Sequence, residues 1–484
     1  MNEAPYNKYE IVIGLEIHIQ LATNTKAYCA DRNEYGALPN SLTSPISLGH
    51  PGTLPVLNKK SIEFATKLGL ALGCDIRREM HFARKNYFYA DLPKGYQITQ
   101  DDTPICTGGK VLIKNDAGEP HWINVTRIHM EEDSGKSVHD QDPNDTLIDL
   151  NRAGVPLLEI VSEPEMRTPQ EAYNYVTEIR KLVRYLEICD GNMEEGSMRC
   201  DANISVRIKG ENVLNTRAEV KNMNSIRNVY RAIEVEAIRQ IDIVEAGGEV
   251  IQETRNYDAV SNTTSAMRGK EFAHDYRYFP EPDLQPLVVT QEYIDDVKTK
   301  MPPLPNDLLR KYTEELKLSE YDAGILTDSK PIALYYEALI SETSNYKAAA
   351  NWLMGDIKSF LNNTATDIDR FPVEPKRIAE LIQIIDEGKV SYSVASQKIF
   401  PELLRSEEGA LAIAQKLNLI QDTDDSEIEN IAKEIIERWP DKVEAYRSGN
   451  KGLLGLFMGE FMKATKGKAN PKQANQIIRE LLDK

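Results

Sequence analysis

The chain has 484 residues, 41% of them apolar, and a formal net charge of −18. That length exceeds what one hydrophobic core organises, so two or three domains are expected, and the charge excludes general attraction to nucleic acid, so a polyanionic partner must meet a local basic patch. No apolar run is long enough to span a bilayer, the first residues lack a signal-peptide layout, and Cys29, Cys74, Cys106, Cys189 and Cys200 form no Cys-x-x-Cys pair, which together point to a reduced, cytoplasmic chain with neither membrane span nor disulfide framework.

Residues 9–21 alternate strictly, with Ile11, Ile13, Leu15, Ile17, Ile19 and Leu21 set against Glu10, Glu16, His18 and Gln20. The period of two predicts a half-buried strand that projects Glu16 and His18 from one face, one pleat apart. A carboxylate and an imidazole so placed suit a divalent cation; an ordinary solvated strand face is the alternative. A helix follows Asn58, with Ile62, Ala65, Leu68 and Leu72 on one stripe and Gly73 as its stop. The block Arg84–Gln97 interleaves aromatic residues with Lys and Arg, as does Asp275–Asp283, a mixture that can stack bases and hold phosphates or simply pack a surface.

Strands are predicted over 111–114 and 122–130. The second runs into three consecutive carboxylates, Glu131, Glu132 and Asp133, and then Gly135-Lys136-Ser137. Clustered carboxylates repel and invite a cation or a basic partner. A phosphate-binding loop is excluded, because Met130 stands where that motif requires its first glycine. Strand 157–162 carries Glu159 within an apolar run, which calls for a buried ion pair, with Arg152 as a candidate, or for a metal. Thr168-Pro169-Gln170-Glu171 is a capping box that opens a second helix reaching Leu186. Strands 199–208 and 216–221 present Arg199, Asp201, Asn203, Ser205 and Arg207, and then Arg217, Glu219 and Lys221: the lining of a phosphate cleft, or solvated edge strands. A third helix runs from Ser225 to about Glu245 and ends at Gly247-Gly248.

Strand clusters without βαβ alternation indicate an α+β N-terminal domain with a largely antiparallel sheet. Prolines from Pro280 to Pro305 mark a boundary, and beyond them only helical periodicity is legible, with an acidic hinge at 422–429 and a basic tail around Lys463, Lys466, Lys468 and Lys472. The expected layout is a cradle over 1–295, a helical domain over 296–405 and a helical tail over 406–484. No Gly-x-Ser-x-Gly elbow or defensible cysteine–histidine nucleophile is present, so the chain is equipped for cation-assisted phosphate chemistry and not for a covalent acyl intermediate.

Gly14-Leu15-Glu16-Ile17-His18, the Arg84–Gln97 block, His129–Ser137, Leu150-Asn151-Arg152, Leu158–Pro164, Met193–Asn203 and Asp275–Asp283 together resemble the B-subunit family of bacterial aspartyl/glutamyl-tRNA amidotransferases along essentially the whole chain. The resemblance implies a cradle related to glutamine synthetase, followed by a helical domain and a tail. It also implies ATP-dependent amidation of glutamate or aspartate misacylated on tRNA. Ammonia would come from an amidase-type A subunit that hydrolyses glutamine, with a small C subunit completing a heterotrimer. It implies His18, Glu132 and Glu159 as magnesium ligands with Glu16 beside them, and Glu131, expected on the opposite strand face, ranks below Glu132. Lys85, Lys94, Arg152, Arg199 and Lys221 are the implied ATP, phosphate or carboxylate contacts, and Lys463 to Lys472 the tRNA grip. Only Cys29 remains of the four-cysteine knuckle that some relatives carry, so no zinc is expected.

Overall fold

The computed structural model describes residues 6–139, 141–267, 276–420, 425–465 and 471–483. The chain divides into two compact units, Met1–Leu304 and Pro305–Lys484. The first is built on a ten-stranded sheet. Its strands are β1 (Tyr9–Gln20), β2 (Asp75–Ile76), β3 (Cys106–Thr107), β4 (Lys110–Lys114), β5 (Pro120–Glu132), β6 (Pro156–Ser162), β7 (Met198–Ile208), β8 (Ala218–Lys221), β9 (Thr254–Asp258) and β10 (Thr263–Ala266). Their order is β10-β9-β8-β7-β1-β6-β5-β3-β2, with β4 alongside β5. Pairing is antiparallel throughout except between β8 and β9. The class is therefore α+β with a mixed, largely antiparallel sheet.

The alternation in β1 splits the sheet into a covered and a polar face. Ile13, Leu15, Ile17 and Ile19 are fully buried, in one core with Ile128 and Met130 of β5 and Leu158 and Ile160 of β6. Each such side chain contributes roughly 1.5–3 kcal/mol relative to exposure. Three helices pack into this core: α1 (Lys59–Leu72), α2 (Pro169–Tyr185) and α3 (Ile226–Glu245). Their ends follow the sequence signals. Asn58 caps α1, and Gly73 closes it with φ +70°, a conformation in which a side chain is strained. At α2 the Thr168 hydroxyl accepts from Glu171 N–H, and the Glu171 carboxylate accepts from Arg167 N–H, so two otherwise orphaned donors are satisfied.

With helices covering the apolar face, the charged face of β1, β5, β6 and β7 remains open. A hairpin of Ala83–Asn86 with Tyr96–Thr99 stands beside it. The second unit is helical among its described residues, and Ala432, Ile435, Phe457, Phe461, Ala474, Ile478 and Leu482 form a separate core near its end. The contact boundary falls at 304/305.

Candidate functional site

Register decides which polar residues meet. His18 of β1 lies opposite Glu159 of β6, and Glu159 lies opposite His129 of β5. On its other side His18 lies opposite Arg199 of β7. Directly opposed residues share a face, so His129, Glu159, His18 and Arg199 form one row across four adjacent strands. Glu131, two residues beyond His129, projects from the same face.

These side chains converge. His18 Nε2 is 3.0 Å from Glu159 Oε2 and 3.7 Å from Glu131 Oε1. Donor atoms of His18, Glu131 and Glu159 all lie within 4.8 Å of one another. The three line a cleft of about 530 Å³ together with Lys85, Arg199 and Lys221. Leu157, Met193 and Met223 supply its apolar surface.

The electrostatics are those of a confined charge cluster. Burial disfavours the His18 imidazolium, but the hydrogen bond to Glu159 and the charges of Glu159, Glu131 and Asp201 outweigh it and raise the ring to about 9. Burial likewise works against the Glu159 carboxylate, and the His18 hydrogen bond with the charges of His129, His18 and Lys85 holds it well below the usual range. Asp133 is buried and held below the carboxylate range, because the Arg199 and Arg152 charges and a Gln20 hydrogen bond overcome desolvation. Arg199 Nη2 donates to Asp133 Oδ2 at 2.8 Å, while its buried Nε has no hydrogen-bond partner among the described residues. Lys85 Nζ sits 4.8 Å from the Tyr276 ring centre, and its pKa is raised: burial opposes the charge, and Glu131 chiefly restores it.

Glu132 does not join the cluster, contrary to the sequence reading. It shares the core face with Ile128 and Met130, where its carboxylate pairs with Lys94 and accepts Ile98 N–H at 2.9 Å. Counting along one strand separates Glu131 from Glu132 but does not say which of them faces the neighbouring strand's histidine. The register does: Glu131 stands opposite Leu157 and Glu132 opposite Pro156, so Glu131 takes the parity of Glu159. Lys94, an implied cofactor contact, is drawn to the same far side and lines a separate pocket with Tyr28, Cys29 and Glu132.

Glu16 projects from the charged face but lies outside the cluster. It accepts from Asn203 Nδ2 at 2.9 Å and lines a small neighbouring pocket with Arg217, Glu219 and Thr254. Burial, then the carboxylates of Glu159, Glu219 and Asp201, raise its pKa. Arg152 stays beside the cleft, donating to Ser134 O and Gly135 O and standing 3.6 Å from Asp133 Oδ2. Lys221 reaches the cleft but is paired with Asp201 and Glu219. In the tail, Lys463 is exposed and paired with Glu460 at 2.9 Å, whereas Lys466, Lys468, the side chain of Lys472 and Asp275 lie outside the described residues. Asp133 enters the sequence reading only as one of three clustered carboxylates and His129 carries no role there; the signal for His129 is its two-residue spacing from Glu131.

Two carboxylates and an imidazole in a polar cleft fit a hard divalent cation. Mg²⁺ favours the oxygens, and the nitrogen extends the fit to Mn²⁺. Fold and site together describe an α+β sheet domain with a charged cleft that could hold a cation. In comparison with known proteins, residues 11–295 match the GatB/GatE catalytic domain, and residues 334–482 match the GatB domain. The B subunit of the aspartyl/glutamyl-tRNA(Asn/Gln) amidotransferase of Chlorobium phaeobacteroides is 48% identical over 475 residues, which cover 98% of this chain and 99% of that protein. Its counterpart in Persephonella marina is 47% identical over 477 residues, covering 98% and 100%, and that in Geobacter sulfurreducens 48% over 473, covering 97% and 98%. The chain belongs to the family of aspartyl/glutamyl-tRNA amidotransferase B subunits.

Proposed function

We propose that this chain phosphorylates and then amidates a tRNA-linked side-chain carboxylate, that of Glu-tRNA(Gln), Asp-tRNA(Asn) or both, as the B subunit of a glutamine-dependent amidotransferase. In the first step a carboxylate oxygen of the substrate attacks the γ-phosphorus of ATP, giving an acyl phosphate and ADP. In the second, ammonia attacks the acyl carbon, the bond to the phosphate oxygen breaks, and inorganic phosphate leaves with the amide formed. Ammonia is to come from an amidase-type partner, with a small third subunit. That partnership accounts for the lack of an amide-hydrolysing nucleophile in this chain.

The meeting of His18, Glu131 and Glu159 in one cleft is the observation that carries the reading. A magnesium ion held by these three would neutralise the phosphate oxygens during transfer. The remaining work falls to the chain's own groups. Arg199, anchored by Asp133 and partly exposed at the cleft wall, is placed to present its guanidinium to a carboxylate or phosphoryl oxygen. Lys85 adds positive charge at the same wall. Leu157, Met193 and Met223 keep part of the cleft apolar, which limits water that would hydrolyse an acyl phosphate. The basic tail beginning at Lys463 is the proposed tRNA contact.

The test supplies ATP, magnesium, ammonium chloride and misacylated tRNA to the assembled enzyme, bypassing glutamine hydrolysis. His18→Ala and Glu159→Gln should abolish amide formation and leave tRNA affinity within about twofold. Full amidation by both variants would reduce the chain to a tRNA-binding scaffold.

A further inference from the structure

The two aromatic–basic blocks of the sequence supply no ligand to the carboxylate–imidazole cluster, yet the fold joins them beside it. Phe279 and Pro280 pair antiparallel with Arg84 and Ala83, and Arg84 donates to Glu281 Oε2 and Oε1 at 2.7 and 2.8 Å. Asn86 then holds the turn that precedes Phe279. Its N–H donates to Tyr276 O at 2.9 Å and its side-chain amide to Arg277 O at 2.8 Å. Arg277 has φ +45°, a conformation uncommon in a residue with a side chain. Such backbone persists only where its surroundings over-determine it, and here Asn86 does so.

The result is an unbroken row of tyrosine rings. Ring centres are 5.8 Å apart for Tyr89 and Tyr87, 6.1 Å for Tyr87 and Tyr276, and 5.9 Å for Tyr276 and Tyr278, each pair meeting edge to face. The middle of the row borders the cleft. Tyr87 lines it, and Lys85 Nζ, at the same wall, lies 4.8 Å from the Tyr276 ring centre. The ends of the row are in solvent: Tyr89 and Tyr278 are exposed, and so are their neighbours Phe88, at 89%, and Phe279. An exposed aromatic patch at the edge of a cleft marks a binding surface.

Tether length selects the occupant. The carboxylate to be activated belongs to an amino acid esterified to the terminal ribose of tRNA. Five or six bonds of about 1.5 Å separate the reacting carbon from that ribose, a span under about 8 Å. With the carboxylate at the Lys85 wall, the ribose and its base come within reach of the tyrosines. Aromatic rings stack unpaired bases, and Lys85 and the exposed Arg277 bring positive charge to a polyanion that a net charge of −18 otherwise repels.

We propose that the Tyr89–Tyr87–Tyr276–Tyr278 row seats the unpaired 3′-terminal base of the tRNA substrate, which stacks on the exposed tyrosines while its aminoacyl group enters the cleft. The assignment rests on the function proposed above and adds a nucleobase site to it.

The experiment assays the assembled enzyme with ammonium chloride, ATP and misacylated tRNA. Tyr89→Leu combined with Tyr278→Leu should raise KM for the tRNA at least about tenfold, the effect of losing a base–aromatic stack, with KM for ATP within about twofold. Phenylalanine at both positions should keep the wild-type values. A misacylated tRNA ending in 2-aminopurine reports the stack itself: the wild-type enzyme should quench its fluorescence, and the leucine variant should not. An unquenched probe with wild type, or an unchanged KM for tRNA in the leucine variant, overturns the proposal and leaves the proposed reaction standing. No amidation by the wild-type enzyme overturns both. A rise confined to KM for ATP gives the tyrosine row to the adenine of ATP, and a leucine variant that elutes without its partner subunits gives it to a protein; either result overturns the proposal. The wild-type fluorescence decides the matter if the variant fails to fold.

Discussion

Exchanging two adjacent carboxylates separates metal binding from stability. Glu131→Gln and Glu132→Gln change the same chemistry one residue apart, yet register sends the side chains to opposite faces of β5. Glu132 is 3% exposed and paired with Lys94, itself largely buried. Removing its charge leaves an uncompensated ammonium, and breaking such a buried pair costs about 3–5 kcal/mol. For a unit of this size that lowers the melting temperature by about 5–8 °C, while Mn²⁺ affinity should stay within about threefold, or roughly 0.7 kcal/mol. Glu131 instead sits with Glu159 and two histidines, so neutralising it removes a ligand and also a carboxylate–carboxylate repulsion. Its substitution should weaken Mn²⁺ binding at least about tenfold, or 1.4 kcal/mol, and lower the metal-free melting temperature less than Glu132→Gln does, because the lost carboxylate repulsion offsets part of the lost attraction to His18 and Lys85. Differential scanning fluorimetry and isothermal titration calorimetry read the two quantities on the same samples. If Glu132→Gln abolishes metal binding while Glu131→Gln spares it, the register argument is wrong.

Three further outcomes follow from the geometry. Adding Mn²⁺ to about 100 times its dissociation constant should stabilise the wild-type chain by about 2.7 kcal/mol, and EDTA should reverse the shift; a melting temperature indifferent to Mn²⁺ would refute the site. Asp133 has a depressed pKa, so its contribution is present above the unfolded value of about 3.9 and is lost as pH falls through the folded value. Urea midpoints measured between about pH 3 and 7 should therefore fall more steeply on the acid side for wild type than for Asp133→Asn; parallel profiles would discount the Arg199–Asp133 pair. Burial pushes the Cys29 thiol up to about 11 and those of Cys74 and Cys189 up to about 12. With so little thiolate at pH 8, all three should react slowly with an aromatic disulfide reagent until the chain is denatured, and rapid modification of any one in the native state would contradict its described environment.

Local signals carried the elements because they arise from contacts near in sequence. The alternation of β1, the Asn58 cap and Gly73 stop of α1, and the Thr168 box of α2 each depend on residues within one or two turns, and each is where the sequence placed it. The polar run Arg199–Arg207 and the isolated Glu159 are also legible as groups that a fold rarely spends on stability, and Glu159 borders the cleft with Arg199 and Asp201 at the start of that run. The mixed pairing of β8 with β9 was not visible, since nothing local distinguishes a parallel neighbour from an antiparallel one.

The sequence by itself determined that β1 would be two-faced, where α1, α2 and α3 would begin, and that His18 and Glu159 stand among charged groups in need of partners. Only tertiary structure decided that Glu131 and not Glu132 stands with His18 and Glu159, that Lys94 is spent on the far face, and that His129 looks onto both carboxylates. The physical reason is the period of two in a strand: alternation sorts residues into two sets, but the register with β6 is what assigns each set to a face, and that register is fixed by partners distant in the chain.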